Sequence, residues 1–120
     1  MKKNKILIIE DNQSIREEIR DILLMEGFLV SEAENGGEGY NFALSQLPDL
    51  IISDILMPIL NGYELFAKLR ENELTENIPI IFLSAKATKN DIRYGMNLGV
   101  DDYLTKPISP DDLLKSIENK

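Results

Sequence analysis

The chain has 120 residues, 43% hydrophobic and 28% charged, with a formal charge of −8. That length allows one core in a single domain over residues 1–120, and the acidic balance argues against nucleic-acid binding through phosphates and against a polybasic membrane anchor. Cysteine and histidine are both absent, which excludes disulfides, thiol nucleophiles, Cys- or His-ligated metals and Ser-His-Asp chemistry.

Met1 to Lys5 is basic, but the apolar run behind it ends in Glu10 and Asp11. It is too short for a signal peptide or a membrane span, so a cytoplasmic protein is expected. Ile6 to Ile9 reads as a buried strand. Ser14 with Glu17 suggests a capping box, followed by a helical stripe of Ile15, Ile19, Ile22 and Leu23, with Gly27 as the stop. Phe28 to Ala33 reads as a less apolar strand, nearer a sheet edge. Asn35 can cap a second helix carrying Tyr40, Ala43, Leu44 and Leu47. Gly36, Gly37 and Gly39 weaken its first turn, and Pro48 ends it.

Leu50 to Ser53 drives toward Asp54 as a fully buried third strand, short, β-branched and bounded by turn residues. Asn61 and Glu64 flank a third helix start, with Leu65, Phe66 and Leu69 inward. A polar loop, Thr75 to Asn77, leads to a fourth strand over Ile78 to Ser84, where Pro79 is tolerable near the beginning. Thr88 with Asp91 opens a fourth helix, Ile92 and Met96 facing inward and Gly99 ending it. Asp102 to Thr105 is a short fifth strand. Ser109, Pro110, Asp111 and Asp112 form a strong helix start, and Leu113, Leu114 and Ile117 give that last helix its inner face.

Strand and helix thus alternate five times. Short loops between them argue a parallel sheet covered on both faces, and right-handed crossovers make it doubly wound. In such a fold the C-terminal strand ends share one edge, where ligands bind at the reversal of strand order. Glu10 and Asp11, then Asp54, Ser84 and Lys106 all end strands. Each alone is most simply a loop-forming polar residue. Asp54 is the hardest to dismiss, because Ile55, Leu56 and Met57 continue apolar after it.

Clustered carboxylates repel and raise one another's pKa, a penalty that a divalent cation removes. An all-oxygen ligand set points to Mg²⁺ or Mn²⁺ rather than zinc. An open metal site beside a carboxylate nucleophile suits phosphoryl transfer: a lysine neutralises the phosphoryl oxygens, a hydroxyl hydrogen-bonds one, and Asp54 accepts as an acyl phosphate.

These residues resemble the response-regulator receiver domain of two-component signalling, over essentially the whole chain. The likeness rests on Ile8-Ile9-Glu10-Asp11, on Asp54-Ile55-Leu56-Met57-Pro58 with Asn61-Gly62, on Ser84-Ala85, and on Gly99-Val100-Asp101-Asp102-Tyr103-Leu104-Thr105-Lys106-Pro107. The resemblance implies a flavodoxin-like, CheY-like (βα)5 sandwich with a parallel sheet of order 2-1-3-4-5. It implies Asp54 as phosphoacceptor, Asp11 and Asp54 as direct Mg²⁺ ligands with the backbone carbonyl of Leu56, and Glu10 acting mainly through water. It implies Lys106 as the phosphoryl partner with a cis Lys106-Pro107 bond, Ser84 as switch hydroxyl, and Tyr103 as the aromatic that moves with it.

Its implied partners are a sensor histidine kinase or a histidine phosphotransfer protein, docking at the first turn of helix one (Gln13, Ser14, Ile15). An output domain or protein target, or a second copy in a homodimer, would use the face of the fourth helix, fifth strand and fifth helix. Glu10 and Ser84 stand where Asp and Thr are more frequent. Leu56 and Lys86 replace polar groups that help position hydrolytic water, so slow self-dephosphorylation is expected. Two other readings compete: an Mg²⁺-dependent phosphohydrolase with an aspartyl nucleophile, disfavoured by loops too short for a substrate cap, and a non-phosphorylated pseudo-receiver, which would normally have lost the Asp or the Lys.

Overall fold

The computed structural model describes residues 5–85 and 88–119. The elements run β1 (Lys5–Ile9), α1 (Gln13–Met25), β2 (Leu29–Ala33), α2 (Gly36–Gln46), β3 (Leu50–Asp54), α3 (Gly62–Glu71), β4 (Ile80–Ser84), α4 (Lys89–Leu98), β5 (Asp102–Thr105) and α5 (Pro110–Glu118). All pairings are parallel and the order is β2-β1-β3-β4-β5, as the alternation and the resemblance imply. The sheet is covered on both faces because its strands are apolar on both. Side chains alternate along a strand, so Ile6, Ile8, Leu50, Ile52, Ile81 and Leu83 pack with Ile19 and Leu23 of α1 and Leu113 and Ile117 of α5. Leu7, Ile9, Ile51, Ile80, Phe82 and Tyr103 face the other way, onto Ala43 of α2 and Leu65, Phe66 and Leu69 of α3.

Helix starts follow side-chain capping, with one correction. The N-cap of α1 is Asn12, whose side chain accepts from the Ile15 amide; Ser14 lies inside the first turn, so the expected Ser14–Glu17 box does not form. The capping boxes Asn61–Glu64 and Thr88–Asp91 both form. Asn35 caps α2, and Ser109 with Pro110 opens α5. Leu47, expected on the inner face of α2, is its left-handed C-cap and is exposed. Met96 is likewise exposed, and the neighbouring Gly95 takes the buried position on α4. Thr75, in a stretch that reads as a polar loop, is fully buried because its hydroxyl donates to the Leu69 carbonyl at the end of α3.

The chain leaves β1 toward β2 on one side and returns to β3 on the other, so strand order reverses between β1 and β3. Register then lines up the strand ends. Ile9 pairs with Ser53, Asp54 with Leu83, and Ser84 with Thr105, which puts Glu10, Asp54, Ser84 and Lys106 along one edge.

Candidate functional site

Glu10, Asp54 and Lys106 fall on the strand parity of the α1/α5 side, and there they meet. The Lys106 ammonium stands 2.8 Å from Glu10 Oε1 and 3.0 Å from Asp54 Oδ2. Asp54 Oδ2 accepts a hydrogen bond from it. Asp54 Oδ1 accepts from the backbone amides of Ile55 at 2.7 Å and Leu56 at 3.3 Å. These groups fix a carboxylate that is 5% exposed, at the end of a strand otherwise wholly apolar on its α1/α5 face. The Lys106-Pro107 bond is cis, as the resemblance implies.

Glu10 is almost wholly buried. Its Oε2 accepts from the Asn12 amide, and its own carbonyl accepts from Arg16 at 2.8 Å. Arg16 also pairs with Glu32 of β2, which ties α1 to the sheet behind the acidic turn. Asp11 is exposed, but it can bring a carboxylate oxygen within 4.8 Å of those of Glu10 and Asp54.

Electrostatics give the cluster its character. Burial pushes the Glu10 carboxyl above its ordinary value; Lys106 and the Asn12 amide pull it down, and the Asp54 charge adds to the rise. Burial would lower Lys106, but its contacts with Glu10 and Asp54 prevail and its pKa is raised. Despite the close ammonium, Glu10 Oε1 has no well-directed hydrogen-bond donor among the described residues. A buried carboxylate oxygen with unmet capacity, beside two more carboxylates, is the donor chemistry a hard divalent cation requires. The residues present therefore fit Mg²⁺ or Mn²⁺.

Ser84 sits on the opposite parity, fully buried at the end of β4. Its side chain is hydrogen-bonded to the Tyr103 hydroxyl. Tyr103 is 7% exposed and meets Phe82 edge to face, with ring centroids 6.2 Å apart. Burial, foremost, raises its pKa; the Tyr63 phenol adds to this and Ser84 opposes it. The paired acids after Gly99 are structural pins: Asp101 accepts from the Ile80 amide at 3.0 Å, and Asp102 Oδ2 accepts from Ser116 of α5.

The rim is apolar. Leu56 is 56% exposed and Ile59 is 81% exposed. Ile59 also holds a left-handed φ of 72°, a genuine outlier for a β-branched residue. On the other side, Ile15, Glu18, Lys106, Pro107 and Ile108 line a groove of about 360 Å³. The expected site residues Glu10, Asp11, Asp54, Ser84 and Lys106 are thus gathered at one edge, with Leu56 beside them. Lys86 lies outside the described residues.

Three contributors escape a reading by residue type. Asn12 both caps α1 and donates to Glu10, and its only sequence signal is an Asx residue just before the apolar stripe. Arg16 carries no local signal, because its partner Glu32 lies on β2, 16 residues along the chain. Gly62 lets α3 start against β3: a Cβ there would lie 2.7 Å from the Asp54 carbonyl oxygen and 2.8 Å from the Ile55 Cα.

The response regulator receiver domain family matches residues 6–118. The ycf29 protein of Pyropia yezoensis, named as a probable transcriptional regulator, is 44% identical over 115 residues, covering 96% of this chain and 52% of that protein. PilH of Pseudomonas aeruginosa is 37% identical over 94% of this chain and 93% of its own. The chain spans about half the length of the first curated relatives it matches. Among solved structures, chemotaxis response regulator CheY4 of Vibrio cholerae superposes with a TM-score of 0.89, at 30% identity over 97% of both chains. The receiver domain of Francisella response regulator 1452 gives 0.90, at 32% identity over 97% of this chain and 94% of that one. Fold, edge cluster and family match agree, and the chain belongs to the response-regulator receiver domain family of two-component signalling.

Proposed function

We propose that residues 1–120 act as one phosphoacceptor switch, phosphorylated on Asp54 by a phosphohistidine of a sensor histidine kinase or a histidine phosphotransfer protein. The observation that carries this reading is the buried Asp54 carboxylate held between two backbone amides and the Lys106 ammonium, with Glu10 and Asp11 beside it. An Asp54 oxygen attacks phosphorus, the P–N bond breaks, and the imidazole nitrogen leaves with the electron pair and takes up a proton. Lys106, already within reach of Asp54 Oδ2, neutralises charge on the phosphoryl oxygens. Asp11, Asp54 and the Leu56 carbonyl would hold Mg²⁺ directly and Glu10 mainly through water, and the ion would supply further neutralisation. The chain catalyses its own phosphorylation and slow dephosphorylation and turns over no separate substrate.

The acyl phosphate then competes for the Ser84 hydroxyl. Ser84 is also hydrogen-bonded to Tyr103, so a change at one alters the other. The face built by α4, β5 and α5 follows, and through it an output domain, a protein target or a second copy is engaged. Moving such an equilibrium from 1:99 to 99:1 takes about 5.5 kcal/mol. One charge-assisted hydrogen bond gives only ~1.5–3 kcal/mol, so Lys106, the metal and repacking around Tyr103 act together. The Ile15–Pro107–Ile108 groove beside Lys106 supports a docking role for α1 toward the phosphohistidine donor. No helix among the described residues is long and apolar enough to cross a membrane, and the reading places the switch in the cytoplasm.

Intact-mass measurement after incubation with acetyl phosphate and Mg²⁺ tests the reading. One added phosphoryl mass is expected on the wild type and none on Asp54→Ala. No addition to the wild type, or equal addition to both proteins, overturns it.

A further inference from the structure

Gly95 is buried in the middle of α4. A glycine there is the poorest ordinary choice for a helix interior, and its surroundings explain it. A Cβ at this position would lie 2.7 Å from Tyr103 Cδ2 and 2.9 Å from Cε2, and 3.6 Å from Phe82 Cδ2. The Tyr103 ring therefore occupies the volume that any side chain at position 95 would need. Met96, next along, is 42% exposed and cannot take over the contact. From this seat Tyr103 reaches Phe82 edge to face and Ser84 through its hydroxyl.

We propose that Gly95 is a positioning residue: lacking a side chain, it seats the Tyr103 ring inward against Phe82 and Ser84 before any phosphoryl group arrives. A larger residue at position 95 turns the ring outward. The α4–β5–α5 face thus rests with its aromatic already inward, and phosphorylation stabilises that arrangement instead of creating it. This consequence rests on the switch roles proposed for Ser84 and Tyr103; the seating itself does not, and it is testable on unphosphorylated protein.

NMR of wild type and Gly95→Ala, with labelled tyrosine and phenylalanine rings, tests it. The wild type is expected to show through-space contacts from the Tyr103 ring to the Gly95 α protons and to the Phe82 ring. In Gly95→Ala the through-space signal to Phe82 disappears and the Tyr103 signals move to those of an exposed tyrosine. Stability gives a second reading. Gly95→Ala should lower the urea midpoint in the wild-type background and raise it in Tyr103→Ala, where the helix preference of alanine acts unopposed. If Gly95→Ala does not fold, the wild-type ring contacts still decide.

Mg²⁺ with beryllium fluoride, a mimic of an acyl phosphate, should leave the wild-type Tyr103 ring in place and restore the inward ring in Gly95→Ala. An outward Tyr103 in the unloaded wild type overturns the proposal, and so does an inward one in unloaded Gly95→Ala. Failure of the mimic to bind either protein overturns the phosphoacceptor reading and leaves the seating standing.

Discussion

Replacing Lys106 by methionine keeps the stem and removes one ammonium from between two buried carboxylates. That ammonium stands 2.8 Å from Glu10 and 3.0 Å from Asp54. At an effective dielectric near 20 each pairing is worth about 6 kcal/mol of attraction before desolvation is subtracted. The cost of stripping one partner from a buried pair is about 3–5 kcal/mol, because the orphaned charge stays. Glu10 can escape by taking up a proton, since burial has already raised its pKa. The lower figure therefore applies, about 3 kcal/mol at pH 7.5, or roughly 10 °C in Tm for a chain of this size.

The sign with pH follows. A carboxyl whose folded pKa is raised penalises folding above that value, and the penalty is relieved as pH falls through it toward the ordinary value of 4.5. Without Lys106 the Glu10 pKa rises further, so the deficit of Lys106→Met should shrink at pH 5. Mg²⁺ should shrink it as well. Urea unfolding at both pH values, with and without Mg²⁺, reads all of this, and the exposed Lys115→Met is the control, expected within ~0.5 kcal/mol of wild type. A Lys106→Met deficit below ~1 kcal/mol, or one equal at pH 5 and pH 7.5, would refute the counter-ion role.

Gly62→Ala forces a Cβ against the Asp54 carbonyl and the Ile55 backbone; it should cost about 1–3 kcal/mol in urea unfolding and slow labelling of Asp54 by acetyl phosphate. Ile59→Asn should gain about 1 kcal/mol, because asparagine tolerates the φ of 72° that strains isoleucine; a loss of stability would show that the exposed isoleucine packs usefully. Ile15→Glu should slow transfer from a phosphohistidine donor while leaving acetyl phosphate labelling intact, and equal loss with both donors would remove the docking role of α1. Phospho-Asp54 should decay slowly without a phosphatase, since the Leu56 side chain cannot orient water; a half-life of seconds would contradict this. The raised Lys106 pKa means its stabilising pairing is complete below pH 10.5 and is lost only as pH climbs through the folded value, so alkaline unfolding should begin later in wild type than in Lys106→Met.

Most of the architecture is legible in the chain because short β-branched runs and capping residues are local signals. Asp54 stands out as an acid between two apolar runs, and strand alternation carries it to the edge with Glu10, Ser84 and Lys106. Long-range steric relations are not legible. Gly36 and Gly39 read as defects of α2, yet a Cβ at either would strike Leu60 or Ile9, so they are what lets the helix approach. Met96 reads as a core residue of α4, but the Tyr103 ring fills the space beside Gly95 and Met96 is left exposed. Thr75 reads as loop because its burial depends on the Leu69 carbonyl. Ser14 outranks Asn12 as a cap in sequence because a serine with a following glutamate matches the capping-box pattern, whereas Asn12 also serves Glu10, a contact that only the folded turn creates.

The central claim is that Asp54 is the residue that takes the phosphoryl group. Borohydride trapping reads it directly, since reduction of an acyl phosphate turns aspartate into homoserine. After acetyl phosphate, Mg²⁺ and borohydride, peptide mapping should find homoserine at position 54 alone, and none when Mg²⁺ is replaced by a chelator. Homoserine at Asp11 or another acid, or conversion at position 54 that is indifferent to the metal, would contradict the account.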